Sequence, residues 1–179
     1  MSSLKDGSRS KGVHLSDILR AIAFESGLLN KKYQDDGEDS DGTKVALGLA
    51  WEDWVSRRID GISYHPGEFE SDGIAMSPDG ISFDPDDVPR VHEIKLTFKS
   101  SNRELADEFL WMHQVRSYCR VVGTQRATLH VYWVNGDYRS CPTFNGVYDI
   151  EFTSSELEET WRMVTQYLKA RPDLFSSAG

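Results

Sequence analysis

Asp79, Glu93 and Lys95 are the residues of this chain whose types and spacing could do chemistry. Thirteen residues separate the aspartate from the glutamate, and the lysine follows the glutamate by two. Two carboxylates and an amine that converge are what a magnesium-dependent phosphodiester cleaver needs. The carboxylates suit a hard, oxygen-loving cation such as Mg2+, which commonly takes only one or two protein carboxylates and keeps several waters. The Glu-x-Lys spacing has a physical basis. Successive side chains of a strand alternate faces, so Glu93 and Lys95 point one way and Ile94 the other. Val91-His92-Glu93-Ile94-Lys95-Leu96-Thr97-Phe98 alternates apolar and polar residues, the pattern of a half-buried strand. Val91 and Ile94 fit one register imperfectly, so the strand is expected to twist or to be covered on both faces.

Asp79 needs neighbours that fold it back beside this strand. Gly73-Ile74-Ala75-Met76 reads as a short strand, Pro78-Asp79-Gly80 as a bend and Ile81-Ser82-Phe83 as resumed strand. The polar, proline-bearing run from Asp84 to Pro89 reads as a hairpin loop. The other elements follow from periodicity. His14 to Ser26 carries apolar residues at helical spacing with Ser16 as its cap. Thr43 to Ile59 reads as a second helix whose Val45, Leu47, Leu49, Trp51, Trp54, Val55 and Ile59 supply an apolar surface. Asn102 to Val122 reads as a third helix, Ala127 to Val134 and Gly146 to Phe152 as strands. Ser155-Glu156-Leu157-Glu158 has the form of a capping box opening a last helix through Ala170, ended by Arg171-Pro172. This order describes an α/β fold with a mixed central sheet flanked by helices. Residues 1–12 read as a flexible terminus and residues 13–175 as one domain.

Composition narrows the options. The chain has 179 residues, 39% of them hydrophobic, and five tryptophans, enough for a folded core. No apolar run approaches the ~20 residues that span a bilayer, and the start lacks the apolar segment of a secretory signal. A cytoplasmic protein without a membrane partner is the expectation. Two cysteines, Cys119 and Cys141, cannot build a four-cysteine cluster, so no iron–sulfur cluster is expected; Cys119 reads as a buried free thiol. The net charge of -9 argues against a nonspecific basic coat on nucleic acid. Much of the acid is local, in Gln34 to Gly42, read as a mobile solvated loop, and in Asp84, Asp86 and Asp87. Lys95, Lys99, Arg103, Arg116, Arg120 and Arg126 make the middle of the chain more basic.

Further polar residues can be placed on these elements. Glu52 lies in an apolar helical stretch, where it either points at a cleft or sits on an exposed face. Gln114 and Tyr118 are four residues apart on the third helix and share a face. Arg116 and Arg120 also share a face and would either grip phosphate or form a solvated basic surface. The ordered series Gly48-x-x-x-Glu52, Asp79 in Ser77-Pro78-Asp79-Gly80, Glu93-x-Lys95 and Gln114-x-x-x-Tyr118 resembles the PD-(D/E)xK nuclease superfamily, in particular its phage lambda exonuclease and RecB-type branch. The resemblance spans roughly residues 43–135 and implies a restriction-endonuclease-like core.

What the resemblance implies is specific. Asp79, Glu93 and the Ile94 carbonyl would hold Mg2+ or Mn2+, with Glu52 completing the metal site directly or through water. Lys95 would orient the attacking water and offset developing charge, with Gln114 and Tyr118 supporting the site's edge. Tyr118, Arg116, Arg120 and Lys99 are the DNA-binding candidates. The implied activity is a metal-dependent exonuclease acting on linear duplex DNA with a free end, in recombination or phage DNA processing, in a host cytoplasm if phage-encoded. A homotrimer and a single-strand annealing or recombination partner belong to the same implication. Two alternatives stay open: an endonuclease of the same fold, and a catalytically inactive module that binds DNA ends.

Overall fold

A computed structural model describes residues 12–29, 42–140 and 143–175. Among the described residues there are two sheets and four α-helices. The larger sheet holds β2 (Ser63–Tyr64), β5 (Gly80–Phe83), β6 (Pro89–Thr97), β7 (Arg126–Trp133) and β8 (Phe144–Glu151), in that spatial order. Only the β6–β7 neighbours run parallel, so the sheet is mixed. The smaller sheet has the order β1 (Val13–His14), β4 (Ile74–Met76), β3 (Phe69–Ser71). The helices are α1 (Leu15–Glu25), α2 (Gly42–Ser56), α3 (Phe109–Val122) and α4 (Ser154–Ala170).

Side-chain alternation along β7 fixes the layers. Tyr132 lies against Trp51 of α2, with ring centroids 4.9 Å apart, and Trp133 against Trp111 of α3, at 5.9 Å. Adjacent residues of a strand face opposite ways, so α2 and α3 cover opposite faces of the sheet. The main core lies on the α3 side, where Leu15, Ile18 and Leu19 of α1, Val115 and Cys119 of α3, Trp161 and Val164 of α4, and Val91 and Ala127 of the sheet pack together. This is the α/β, restriction-endonuclease-like architecture, with a mixed central sheet between helices. β6 is covered on both faces, which explains its imperfect alternation: Val91, His92, Glu93 and Ile94 are all buried. Among the described residues no helix is long and apolar enough to cross a membrane.

Several local expectations are corrected. Ser16 lies inside α1, whose N-cap is His14 without a side-chain cap bond. α3 begins at Phe109 rather than Asn102; Leu105–Asp107 form one 3-10 turn before it, and the buried Glu108 is tied down by Lys99 and by Arg103 at 2.7 Å. The capping box of α4 uses Thr153 and Glu156, two residues earlier than the Ser155–Glu158 pair. The apolar residues of α2 do not form a core face: Val45, Leu47, Leu49 and Trp54 are exposed and only Val55 and Ser56 are buried. β3 and β2 were not foreseen. Asp72 and Gly73, both at positive φ (52° and 74°), form the two-residue turn joining β3 to β4, a connection that asks for this backbone conformation at both positions. Cys119 is a buried free thiol, as expected, whereas Cys141 and nearly all of the acidic run from Gln34 lie outside the described residues; its last residue, Gly42, opens α2.

Candidate active site

Asp79 sits where the chain changes sheets. β4 belongs to the small sheet and β5 to the large one, and Ser77-Pro78-Asp79 is the crossing between them. The last β5–β6 pair is Gly80 with His92. Beyond it β6 continues alone on that side, and its free Ile94 N–H donates to Asp79 Oδ2 at 2.7 Å. The aspartate thereby stands in for the missing strand and is fixed next to Glu93. Gly80 has a steric reason: a Cβ there would fall 2.4 Å from Ile62 Cδ1.

Glu93 and Lys95 share one face of β6, on the same side as Leu129 and Val131 of β7. Their side chains form an ion pair. Glu93 is only 1% exposed, and its Oε2 has no hydrogen-bond partner among the described residues. A buried carboxylate oxygen without a partner is costly. Burial, then Asp79, push the Glu93 carboxyl up, against the pull of Lys95. For Lys95, burial opposes the charge, but Glu93, Asp79 and Glu52 outweigh it and hold the ammonium above the usual lysine range. Lys95 is therefore a cation here and a poor proton acceptor.

Glu52 arrives from α2. Its carboxyl is pushed up to about 7, first by burial and then by Asp79, with Lys95 pulling the other way. Of the two readings left open for Glu52, the structure supports the one that points into the cleft. A residue missed in the sequence completes this corner. Tyr64 of β2 lies across from Gly80, and its phenol is pushed up to about 12 by burial, then by Glu52, Asp79 and Asp53. At neutral pH it is a hydrogen-bond donor beside the carboxylates. No periodic signal marks it, because a two-residue strand has no period and its pairing with Gly80 spans sixteen positions.

The other candidates are placed differently. Gln114 Nε2 donates to Tyr118 Oη at 2.6 Å, and Tyr118 is buried in the core. Arg116 pairs with Glu156 at 3.1 Å and Arg120 pairs with Glu158, so both turn toward α4 rather than toward the carboxylates. Lys99 pairs with Glu108 and lies 5.1 Å from the centre of the Trp111 ring.

The residues can be tested against a divalent cation. Among the described residues no three His, Cys, Asp or Glu side chains converge closely enough to hold a metal ion by themselves. Two carboxylates and a backbone carbonyl, with water for the remainder, still meet what Mg2+ requires. The unpartnered Glu93 Oε2 and the surplus of carboxylates over lysine are the features a cation would satisfy. Asp79, Glu93 and the Ile94 carbonyl would be the residues to hold it, with Glu52 completing the site directly or through water.

No protein-family model matches the chain, and no curated protein matches it in sequence. Solved structures do. An alkaline exonuclease from Laribacter hongkongensis superposes with a TM-score of 0.54 at 14% identity, covering 89% of this chain and 87% of that one. Its complex with dAMP superposes with a TM-score of 0.50 at 18% identity and the same coverage. SSO0001 superposes with a TM-score of 0.52 at 14% identity, covering 88% of this chain and 77% of that one. At such identities the likeness is one of fold.

Proposed function

We propose that the chain is a metal-dependent DNA exonuclease hydrolysing phosphodiester bonds from the ends of linear duplex. The observation that carries this reading is the buried Glu93 carboxylate, held by Lys95 on one oxygen and without a partner among the described residues on the other, next to an Asp79 fixed by a backbone N–H. The shared fold with an alkaline exonuclease, one structure of which holds dAMP, supports it. Mg2+ or Mn2+, when bound, would lower the pKa of a water and stabilise charge on the phosphate.

The chain's own residues have distinct tasks. Asp79 and Glu93 supply the negative pocket, and the Ile94 N–H keeps Asp79 aimed at it. Lys95 is held as an ammonium, so it would orient the attacking water and stabilise the phosphorane-like transition state rather than remove the proton. Glu52, which faces Asp79 and Lys95 from α2, would complete the metal site directly or through water. Gln114 and Tyr118 would brace the helix at the site's edge. Lys99, Arg116 and Arg120 would reach phosphate only by leaving Glu108, Glu156 and Glu158, so they would contribute less to DNA binding than their charge suggests.

The test compares an end-labelled linear duplex with a covalently closed circle, in Mg2+ or in EDTA. Loss of the linear DNA alone, only with metal, is expected. Cutting of the circle would make the protein an endonuclease of this fold, and binding without any cleavage would make it an inactive end-binding module.

A further inference from the structure

We propose that the column formed by Tyr132, Trp51, Trp54 and Arg58 is a stacking site for an unpaired base of the DNA strand that enters the carboxylate cluster; this rests on the nuclease reading above. The column starts on the sheet, where Tyr132 of β7 lies 4.9 Å from Trp51, measured between ring centroids. Trp51 stacks on Trp54 at 5.1 Å with 16° between the planes. The Arg58 guanidinium then lies 3.6 Å from the centre of the Trp54 ring. Exposure rises along it: Tyr132 and Trp51 are half-buried, Trp54 is 45% exposed, and Arg58 is exposed.

The outer tier is built, not merely left in solvent. Arg58 Nη1 donates to the Trp54 carbonyl at 2.8 Å, which holds the guanidinium over the indole. Its neighbour Arg57 takes Asp53 as its carboxylate partner, at 2.8 Å; Arg58 has no carboxylate partner among the described residues. A cation held over an exposed indole, with no carboxylate partner among the described residues, leaves a positive face for something from outside. Nucleic-acid bases fit it. Unpaired bases stack on aromatic rings and on arginine planes, and the adjoining phosphate is drawn to the same charge. A base inside a duplex has both faces covered, so the site selects a single-stranded or frayed end.

Position favours the same ligand. Trp51 directly precedes Glu52, whose carboxylate faces Asp79 and Lys95. The column and Glu52 therefore share one turn of α2, while Glu93 and Lys95 project from the other face of the sheet than Tyr132. Val45, Leu47 and Leu49, exposed further back on α2, carry no cation and stay outside the site.

The test uses the full chain in EDTA with a duplex carrying 2-aminopurine in a 5′ or 3′ overhang, against the same fluorophore paired in a blunt duplex. Quenching of the overhang fluorophore is expected for the unsubstituted protein, and its absence would overturn the site. Trp54→Ala is expected to weaken overhang binding about tenfold, in the range of one lost stacked base, and to change blunt-duplex binding less than about twofold. Arg58→Lys keeps the charge and loses the plane, so it should lose quenching while keeping most of the affinity. Equal loss on both duplexes would reduce the site to a charge contact and overturn it. Unchanged binding, or a change in oligomeric mass on Trp54→Ala, would overturn it too, the latter making α2 a protein interface. Cleavage of the blunt duplex in Mg2+ is read separately. Quenching without cleavage sinks the nuclease reading and leaves the stacking site, whereas cleavage with unaltered variants sinks the stacking site alone.

Discussion

One face of β6 carries His92, with His130 beside it on β7; the other carries Glu93 and Lys95. Both faces bury polar groups, and they treat them in opposite ways. On the histidine face, His92 Nδ1 lies 3.2 Å from His130 Nε2, and Ser82 Oγ lies 2.7 Å from His92 Nε2. Burial, followed by His130 and Arg90, pushes His92 down to about 4, so the pair is neutral and hydrogen-bonded. On the other face Lys95 confronts Glu93 and feels Asp79 and Glu52, and a buried carboxylate oxygen has no hydrogen-bond partner among the described residues. A satisfied buried network specifies and stabilises a fold. An unsatisfied one costs stability, and such costs are tolerated where chemistry needs them. The histidine face is a structural solution, and on the proposed nuclease reading the carboxylate face is the working one.

Substitutions on the two faces should therefore separate activity from stability. Lys95→Ala is expected to lower the rate of linear-duplex cleavage by about two orders of magnitude or more, read by single-turnover hydrolysis of an end-labelled substrate. A loss under tenfold would place the chemistry elsewhere. His130→Ala leaves His92 Nδ1 unmatched and should cost about 1–3 kcal/mol in urea unfolding, with cleavage changed only a few-fold. Should cleavage collapse while stability holds, the histidine face would join the working site.

Acid and base limbs of stability give a finer separation. The unfolded chain takes up a proton on His92 near 6.5 that the folded chain refuses until about 4. Stability from this group is present above that window and is lost as pH falls through it. Glu52 has the opposite sign: the folded chain keeps its proton to about 7, whereas the unfolded chain releases it near 4.5. Metal-free protein should lose stability from this group as pH rises between those values. Melting temperatures from pH 4 to 8 are expected to show His92→Asn flattening the acid limb and Glu52→Gln flattening the neutral one. The smallest effects belong to Arg116→Ala and Arg120→Ala, whose partly exposed pairs with α4 are worth up to about 1 kcal/mol each. Their removal should alter DNA binding less than about threefold, measured by fluorescence anisotropy.

The same contrast explains what was legible in the sequence. Glu93 and Lys95 share a face because strand alternation is local, and the bend at Asp79 is written in Ser-Pro-Asp-Gly. The ends of α3 and α4 and the spans of β6 and β7 follow from periodicity and from Gly123 and Pro172. Features that depend on register across distant segments were not legible. Tyr64 joins the carboxylates only through its pairing with Gly80. The partners of Arg116 and Arg120 lie some forty residues away on α4. Thr153–Glu156 and Ser155–Glu158 both have the capping-box form, and the path of the chain out of β8, not composition, selects the first. α2 misled because apolar residues all round a helix usually mean burial, whereas here much of that surface faces solvent.

Glu93→Gln carries both halves of the contrast in one variant. Cleavage of linear duplex in Mg2+ and the melting temperature in EDTA at pH 8 would be measured on the same preparation. Cleavage should fall by about two orders of magnitude or more, while the metal-free protein melts higher, because a buried charge in excess has been removed. Retained cleavage, or a lower melting temperature, would contradict the assignment of this face to catalysis.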